Sequence, residues 1–264
     1  SNINIASKAV FVDVLDVGQG LAVIIRTENH TLVYDTGSHS PSGFNMGDAA
    51  LIPFLIANQV NSIDTIIISH GDNDHIGGLQ AILNNFTVGR ILSSVPNKIP
   101  EPSELCHSGQ SWNWDGVQFD ILSPENNSNF KGNNASCVLK ISSKNGSILL
   151  TGDIEKKAEK ALLQNSGVNL AADVMLIPHH GSKTSSTKAF IRSVSPVIAI
   201  SSSGYKNPYK HPAEVIVKRY RDNGAIVFDT SCSGQLSFTL NNEITINEFR
   251  KDQRYFYHRQ CDEN

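Results

Sequence analysis

Short apolar runs, many of them bounded by glycine, proline, asparagine or aspartate, recur along the chain and are typical of β-strands. They predict strands over residues 10–17, 21–26, 31–34, 65–68, 90–95, 117–122, 136–142, 147–151, 173–178, 197–200, 225–228 and 235–240. Apolar residues at helical spacing predict helices over residues 48–59, 79–86, 155–164, 187–194 and 213–221. Strands dominate the first half and alternate with helices in the second. This order predicts two sheets with helices outside them, in one layered α/β domain.

Some segments do not follow these patterns. Gly18 and Gly20 lie between the first two strands and predict a tight hairpin with positive φ. The stretch 96–116, which contains both tryptophans, is predicted to be irregular. The expected organisation is a linker or expression remnant over 1–8, the domain over 9–240, and a docked or partly disordered extension with a Tyr-Phe-Tyr cluster over 241–264.

Much of the chemistry is concentrated in the loop that follows the strand predicted over 65–68. His70, Asp72, Asp74 and His75 fall within six residues, and a predicted helix begins soon after them. Four such side chains on a short loop between two rigid elements are well placed to bind a metal ion. The alternative is a polar turn in which Asp74 caps the helix and the histidines are incidental. A cap explains one acidic residue and not the other three side chains, so we predict a metal site.

Further ligand-type residues follow other predicted strands. Asp153 closes one strand, His179 and His180 follow another, and His211 lies in a loop rich in glycine and proline. Sites are often assembled at strand ends from distant parts of a chain. Asp35 ends the third strand before a glycine, where it either orients a neighbouring ligand through a hydrogen bond or forms a plain turn. The remaining histidines are interpreted as structural, namely His30, His39, His107 and His258.

Composition and charge narrow the classes of function. No run approaches the ~18 apolar residues of a transmembrane helix, and no signal peptide is visible. The net charge of −3 argues against a general nucleic-acid coat. Residues 182–221 nevertheless carry a net charge of +7, which fits either a solvated helix face or a surface for a polyanion. The four cysteines form no CxxC pair, which argues against a thiolate zinc site and leaves free thiols or disulfides open.

Several motifs, taken in order and spacing, resemble the metallo-β-lactamase superfamily. They are Asp35-Thr36-Gly37, His70-x-Asp72-x-Asp74-His75, Thr151-Gly152-Asp153 and His179-His180-Gly181-Ser182. A narrower set is similar to the C-terminal hydrolase domain of the ComEC competence proteins, which are DNA-uptake channels of the inner membrane. That set comprises Leu15-Asp16-Val17-Gly18-Gln19-Gly20, Asn133-Asn134-Ala135-Ser136, residues 179–185 and His211-Pro212.

The resemblance implies a four-layer αββα sandwich with two divalent metal ions between the sheets. The ligands it implies are His70 and Asp72 for the first ion, Asp74, His75 and His180 for the second, and Asp153 as a bridge. His179 is expected to contact phosphate or donate a proton, although which histidine of the 179–180 pair binds metal stays open. Asp35 and Ser136 are expected to support the ligands through hydrogen bonds.

Two departures from the superfamily pattern bear on the metal. Asp72 stands where the superfamily usually has its second histidine, and the usual histidine of the third motif is missing, with residues 133–136 in its place. The first site is therefore rich in oxygen and short of one ligand. Oxygen ligands suit Mn²⁺ or Mg²⁺ better than Zn²⁺. Mn²⁺ is thus the favoured ion, with Zn²⁺ or Mg²⁺ as alternatives.

The activity implied by the resemblance is metal-dependent hydrolysis of DNA, degrading the strand that is not imported. Two ions ~3.5–4 Å apart activate water and stabilise both oxygens of an in-line displacement at phosphorus. The predicted catalytic residues are Asp74, His179 and His211, with either histidine as proton donor to the leaving oxygen. Because fold alone does not fix chemistry, two other functions stay open. One is a DNA-guiding domain with little or no turnover, and the other is a small-molecule hydrolase.

DNA, with a single strand favoured, is the expected substrate. The residues expected to contact it are Lys183, Lys206 and Lys210 at phosphates and Tyr205 and Tyr209 at bases, unless these tyrosines only pack within their loop. The other expected partners are a membrane channel portion of the same polypeptide and further DNA-uptake proteins. The resemblance places the domain on the periplasmic side of the inner membrane. A disulfide fits that oxidising compartment, and Cys106 with Cys137 is the expected pair.

Overall fold

The computed structural model describes residues 9–240 and 244–253, and fifteen strands fall within these two ranges. They are β1 (Val10–Val14), β2 (Val23–Arg26), β3 (Thr31–Tyr34), β4 (Ser62–Ile68), β5 (Thr87–Ser93), β6 (Glu104–Leu105), β7 (Ser111–Trp114), β8 (Val117–Ser123), β9 (Val138–Ser143), β10 (Gly146–Leu150), β11 (Val174–Leu176), β12 (Ile198–Ser201), β13 (Ile226–Asp229), β14 (Leu236–Leu240) and β15 (Asn247–Glu248). The first sheet has the order β15-β14-β1-β2-β3-β4-β5-β6, and the second has the order β13-β12-β11-β10-β9-β8-β7.

Helices connect many of these strands. Those in the described ranges are α1 (Ile52–Ala57), α2 (Asn73–Ile76), α3 (Leu79–Asn85), α4 (Lys156–Gln164), α5 (Lys188–Val194), α6 (Glu214–Asp222), α7 (Thr230–Ser233) and α8 (Phe249–Asp252). A wider π-helical turn, Gly47–Leu51, leads directly into α1. The helix predicted over 48–59 is therefore present, with an irregular first turn.

Buried side chains form three cores, and these define the layers. The central core lies between the two sheets and includes Val12, Phe119 and Ile200. A second core packs α1 and α3 on the outer face of the first sheet, through residues such as Leu55. A third packs α4, α5 and α6 on the second sheet, through residues such as Phe190. The order helix, sheet, sheet, helix confirms the predicted four-layer αββα fold.

The parallel parts of both sheets place their strand ends at one edge. Strands β3, β4 and β5 run parallel in the first sheet, as do β10, β11, β12 and β13 in the second. The carboxyl ends of parallel strands lie on the same side of a sheet, where sites in layered folds are commonly built. The loops at these ends carry Asp35, His70, Asp153, His180 and Ser202.

Part of the stretch predicted to be irregular is a strand. β7 pairs with β8 in antiparallel fashion, and Asp115 and Gly116 in the intervening turn have φ values of 54° and 80°. An Asp-Gly pair with two positive φ angles is a strong hairpin signal. The ring of Trp112 stacks on that of Phe119, with centroids 5.3 Å apart. The prediction of irregular structure was therefore wrong for residues 111–114, because Asp115-Gly116 favours a hairpin.

The connection between β1 and β2 is longer than the predicted tight hairpin. Gly18 and Gly20 have positive φ as expected, at 66° and 140°. Residues 15–22, however, form a loop rather than a two-residue turn, and the Leu21 N–H donates to the Asp74 carbonyl over 3.1 Å. This contact with a distant part of the chain has no signal in the local pattern.

Part of the C-terminal extension docks on the domain. β15 pairs with β14, with Leu236 opposite Glu248. The Tyr-Phe-Tyr cluster predicted as part of this extension lies outside the described residues. Among the residues that are described, no helix combines the length and the apolar character needed to cross a membrane.

The expected disulfide between Cys106 and Cys137 is present, with Cα atoms 6.0 Å apart. It closes a loop with a sequence separation of 31 residues, for which chain entropy gives a stabilisation of about 3–4 kcal/mol. We expect replacement of both cysteines by alanine to lower the free energy of unfolding by that amount, measured by urea titration. Equal unfolding midpoints for this variant and the oxidised wild type would contradict the prediction.

Candidate metal centre

The loop predicted to bind metal connects β4 to α2 and α3. Asp72 precedes α2, while Asp74 and His75 lie within it. The carboxylate of Asp74 points at His180, with 3.3 Å between Oδ2 and Nε2. The N-terminal cap of α3 is Gly78. Asp74 therefore does not cap that helix, and the polar-turn alternative does not account for the loop.

Two groups of ligand atoms converge at the strand ends. Nitrogen and carboxylate atoms of His70, His75 and Asp153 lie within 4.8 Å of one another, as do those of Asp74, His75 and His180. His75 belongs to both groups, because its Nε2 is 3.2 Å from Asp153 Oδ1 and 3.2 Å from His180 Nε2. The structure thus brings together five of the six predicted ligands. The sixth, Asp72, lies at the rim with its Oδ2 3.5 Å from His70 Nε2.

Three histidines present their Nε2 atoms to this cluster because Nδ1 is occupied elsewhere. His75 Nδ1 pairs with Asp35 Oδ2 over 2.7 Å, and His180 Nδ1 donates to the Ser202 carbonyl over 2.7 Å. The Ser69 hydroxyl donates to Asp35, so its oxygen is free to accept from His70 Nδ1, 3.1 Å away. Partners of this kind fix the ring orientation and tautomer of metal-binding histidines.

The donor set fits divalent metal ions. His70 Nε2 is buried and has no hydrogen-bond partner among the described residues, and such an atom is costly unless a ligand satisfies it. The imidazole nitrogens of His75 and His180 lie only 3.2 Å apart, and imidazole nitrogen is a usual ligand of divalent metal ions. Carboxylates of Asp74 and Asp153 supply compensating negative charge beside them.

Opposite charges in the cluster shift the pKa values of its members. Burial raises the pKa of Asp74, but the hydrogen bond to His180 and the charge of His75 outweigh it and bring the pKa to about 2. Burial also opposes ionisation of Asp153, yet His180 and His75 hold its pKa well below the usual value. Conversely, burial lowers the pKa of His75, while Asp153 and Asp35 together raise it well above its ordinary value. A cation that binds here must therefore displace protons from imidazole.

Backbone strain is concentrated at the same place. Asp35, His179 and His180 adopt left-handed conformations, with φ values of 59°, 52° and 52°. Non-glycine residues in this region cost about 1–3 kcal/mol each and persist where function or packing requires them. All three positions follow strand ends and direct side chains at or beside the cluster. This strain has no signature in residue type alone.

His179 and His211 lie beside the cluster rather than within it. His179 Nε2 is 3.8 Å from Asp153 Oδ2, and its Nδ1 is 3.1 Å from the Thr184 hydroxyl. His211 packs edge-on against His179, with centroids 5.8 Å apart. Burial and the nearby charge of His180 lower the pKa of His211 to about 4. Its Nδ1 is buried, and no residue in the described part of the chain forms a hydrogen bond with it. The geometry thus directs His180 to the ligand cluster and His179 to its edge.

The predicted supporting residues touch the cluster, whereas the predicted lysines do not. The hydroxyl of Ser136 accepts from the N–H of Asp153 over 3.1 Å, and Asp35 orients His75 as described. The side chains of Lys183, Lys206 and Lys210 are exposed, and no ion pair joins them to an acid within the described ranges. Lys206 Nζ lies over the ring of Tyr205, 5.3 Å from its centroid. The three lysines are thus accessible to a ligand but are not fixed against the site.

Two supporting residues escaped the sequence analysis. Ser69 links Asp35 to His70, and a single serine at the end of the Ile-Ile-Ile run was its only signal. The carbonyl of Ser202 orients His180. Backbone acceptors are common to all residues, so no sequence pattern indicates this one.

The sequence profile described as the Metallo-beta-lactamase superfamily matches residues 15–204, most of the chain. The chain belongs to this superfamily. Its members are generally metal-dependent hydrolases, and the ligand groups above are consistent with that class. Among solved structures, the metallo-beta-lactamase fold protein YhfI from Bacillus subtilis aligns with a TM-score of 0.56 at 10% identity, covering 87% of this chain and 99% of that one. A likeness at this identity supports the fold alone.

Superfamily relatives with higher identity are named for competence and recombination. The chain is 40% identical over 229 residues to Competence protein ComA of Neisseria gonorrhoeae, covering 87% of this chain and 32% of the relative. It is 38% identical over 226 residues to Recombination protein 2 of Haemophilus influenzae, covering 85% and 28%. The chain therefore spans only about three tenths of the length of these relatives.

Proposed function

We propose that this superfamily domain is a metal-dependent DNase of a DNA-uptake protein, degrading the strand that is not imported. The observation that carries the proposal is the pair of ligand groups that share His75, beside the exposed carboxylate of Asp72. Such a paired site, open at its rim, suits phosphodiester chemistry. The similarity to Competence protein ComA supports DNA as the substrate.

The residues divide the work as follows. His70, Asp72 and Asp153 would hold one ion, and Asp153 with Asp74, His75 and His180 would hold the other. When bound, the two ions activate a water molecule and stabilise charge at phosphorus. His179 is placed to contact the phosphate or donate a proton to the leaving oxygen, because its ring lies at the edge of the cluster. The ring of His211 packs edge-on against that of His179 and restricts its position.

The decisive experiment is a metal titration of metal-free protein with end-labelled single-stranded and double-stranded DNA. We expect cleavage that depends on Mn²⁺ and is faster on the single strand. Binding without cleavage, unchanged in His70→Ala, would favour a DNA-guiding domain instead. Turnover of a small phosphodiester or lactam, with no response to DNA, would favour a small-molecule hydrolase.

The proposed setting is the periplasmic side of the inner membrane, with the channel portion of the same polypeptide and other DNA-uptake proteins as partners. The disulfide between Cys106 and Cys137 supports an oxidising compartment. Similarity to about three tenths of ComA is compatible with a longer polypeptide that carries the channel.

A rigid turn beside the cluster is the proposed contact for DNA bases. The side chain of Asn207 donates to the carbonyls of Gly204 and His211 over 2.8 and 2.6 Å and accepts from the His211 N–H over 2.9 Å. The turn displays Tyr209, which is 66% exposed and stacks on His211 with centroids 5.7 Å apart. Lys206 and Lys210 of the same turn are proposed to contact phosphates. Lys183, three residues after His180 in the sequence, is proposed to do the same.

Replacing Tyr209 with alanine is expected to raise KM for single-stranded DNA about tenfold and leave kcat within about twofold, because one stacked base contributes about 1–3 kcal/mol to binding. Steady-state kinetics on single-stranded and double-stranded substrates measure this effect. Tyr209→Phe keeps the ring and should retain the wild-type KM. An unchanged KM in the alanine variant would remove Tyr209 from the binding surface.

A further inference from the structure

One structural support of the candidate metal centre is the loop over residues 15–22. The Leu21 N–H donates to the carbonyl of Asp74 over 3.1 Å. Gly20 packs so closely that a Cβ added to it would lie 2.4 Å from the same carbonyl oxygen. The backbone that carries the Asp74 carboxylate is therefore set by the position of this loop. Asp16 lies near the start of the loop, where its Oδ1 accepts from the Gly18 N–H over 3.2 Å.

A second structural support holds the ring of His180. The Ser202 carbonyl fixes His180 Nδ1, and the Ser202 hydroxyl donates to the Gly20 carbonyl over 2.7 Å. The next residue, Ser203, donates its N–H to the Thr230 hydroxyl over 3.1 Å. His180 is thus held by Ser202, and the neighbouring Ser203 is hydrogen-bonded to Thr230 at the start of α7. This second support contacts the first through the hydrogen bond from Ser202 to Gly20.

Arg250 of α8 contacts both supports, the first at Asp16 and the second at the start of α7. Its Nη1 donates to the carbonyls of Thr230 and Ser231 over 2.9 and 3.0 Å, and its Nη2 pairs with the Asp16 carboxylate. The two side chains of this ion pair are only 19% and 24% exposed. A planar guanidinium holds the carboxylate and the two carbonyls from two separate nitrogens in fixed directions, whereas a lysine ammonium offers a single nitrogen.

We propose that Arg250 is a positioning residue for the metal centre. By clamping the loop over 15–22 to α7, it keeps Asp74 Oδ2 and His180 Nε2 close together, at the 3.3 Å that the structure shows. Arg250 lies outside the part of the chain that matches the superfamily profile, residues 15–204. The C-terminal extension therefore contributes to the site from a distance. This inference rests on the metal centre of the proposed function but not on DNA as the substrate.

The test compares Arg250→Met with Lys251→Met, a matched change on the same helix. Lys251 is 71% exposed, and its ion pair within the described residues is with Glu248, so its loss leaves the clamp intact. Mn²⁺ affinity is measured by isothermal titration calorimetry, and amide hydrogen exchange is followed at Leu21 and Ser203 in metal-free protein. We expect Arg250→Met to weaken Mn²⁺ binding about tenfold, as losses of outer partners typically do, and to speed exchange at both amides. Lys251→Met should change neither quantity by more than about twofold.

Arg250→Lys separates positioning from general stability and serves if the methionine variant does not fold. It keeps the charge beside Asp16 but loses the fork, so an intermediate Mn²⁺ affinity is expected. Equal Mn²⁺ affinities in the wild type and both Arg250 variants would overturn the proposal, as would a lowered melting temperature with unchanged affinity and exchange. Because neither readout involves DNA, failure of DNA cleavage would leave this test intact.

Discussion

Replacement of Asp153 with asparagine is expected to reduce Mn²⁺-dependent DNA cleavage by about three orders of magnitude. Asp153 is the proposed bridge between the two ions, and its oxygens lie 3.2 Å from His75 Nε2 and 3.5 Å from His180 Nε2. Metal ions contribute several kcal/mol of charge stabilisation in such reactions, and each ~1.4 kcal/mol is tenfold in rate. The amide keeps the shape of the side chain and removes the charge that both ions share.

Cleavage rates and Mn²⁺ affinity together check this expectation. Loss of a bridging ligand should weaken Mn²⁺ binding by more than the ~10–100-fold typical of outer partners. Asp222→Asn is the matched control, since Asp222 is 59% exposed at the end of α6 and its ion pair within the described ranges is with Lys218 at the surface. Near wild-type cleavage by Asp153→Asn would contradict the mechanism with two ions, whether or not the variant is less stable than the wild type.

Residues of the site that cluster along the chain were accessible to sequence reasoning. His70, Asp74 and His75 occupy one loop, where four ligand-type side chains in six residues are improbable without a shared role. Asp153 and the His179-His180 pair each follow an apolar strand, and strand ends of parallel sheets share an edge. Their assignment as ligands came from the resemblance to the superfamily, which left the choice within the histidine pair open. The pattern thus indicated which side chains meet but carried no information on distances.

The parts that escaped prediction depend on contacts between distant segments. The glycines at 18 and 20 predict a tight turn, yet residues 15–22 form a longer loop. This loop reaches Asp74, whose carbonyl accepts a hydrogen bond from the Leu21 N–H. The left-handed backbone of His179 and His180 is held by tertiary structure, because residue preference opposes it. Arg250 sits in a polar segment that looked peripheral. Its partners, Asp16 and Thr230, are set by docking of α8.

His75 shows why the two ligand groups form one functional unit. Its Nε2 faces Asp153 and His180 at the same distance, while Asp35 holds its Nδ1 from behind. A displacement of His75 therefore disturbs both groups. By contrast, Asp72 touches only the His70 side and is 57% exposed. Substitutions at Asp72 can consequently alter one ion site and spare the other.

Asp72→His is expected to change the metal preference of the enzyme from Mn²⁺ to Zn²⁺. Asp72 Oδ2 lies 3.5 Å from His70 Nε2 at the open rim, where an imidazole fits without being forced into the core. The change replaces an oxygen ligand by nitrogen, and nitrogen-rich tetrahedral sites suit Zn²⁺ whereas oxygen-rich sites suit Mn²⁺. We expect the wild type to cleave DNA at least about ten times faster with Mn²⁺ than with Zn²⁺, and the variant to reverse that order.

The measurement is the cleavage rate of metal-stripped protein reconstituted with each ion separately. Asp72→Asn is the control, because it retains an oxygen donor and loses only charge, so its rate should fall while its preference for Mn²⁺ remains. Full activity of the wild type with Zn²⁺ alone and none with Mn²⁺ would contradict the assignment of an oxygen-rich first site. An unchanged preference in Asp72→His would instead show that Asp72 does not bind the ion. The two outcomes separate the identity of the metal from the identity of its ligand.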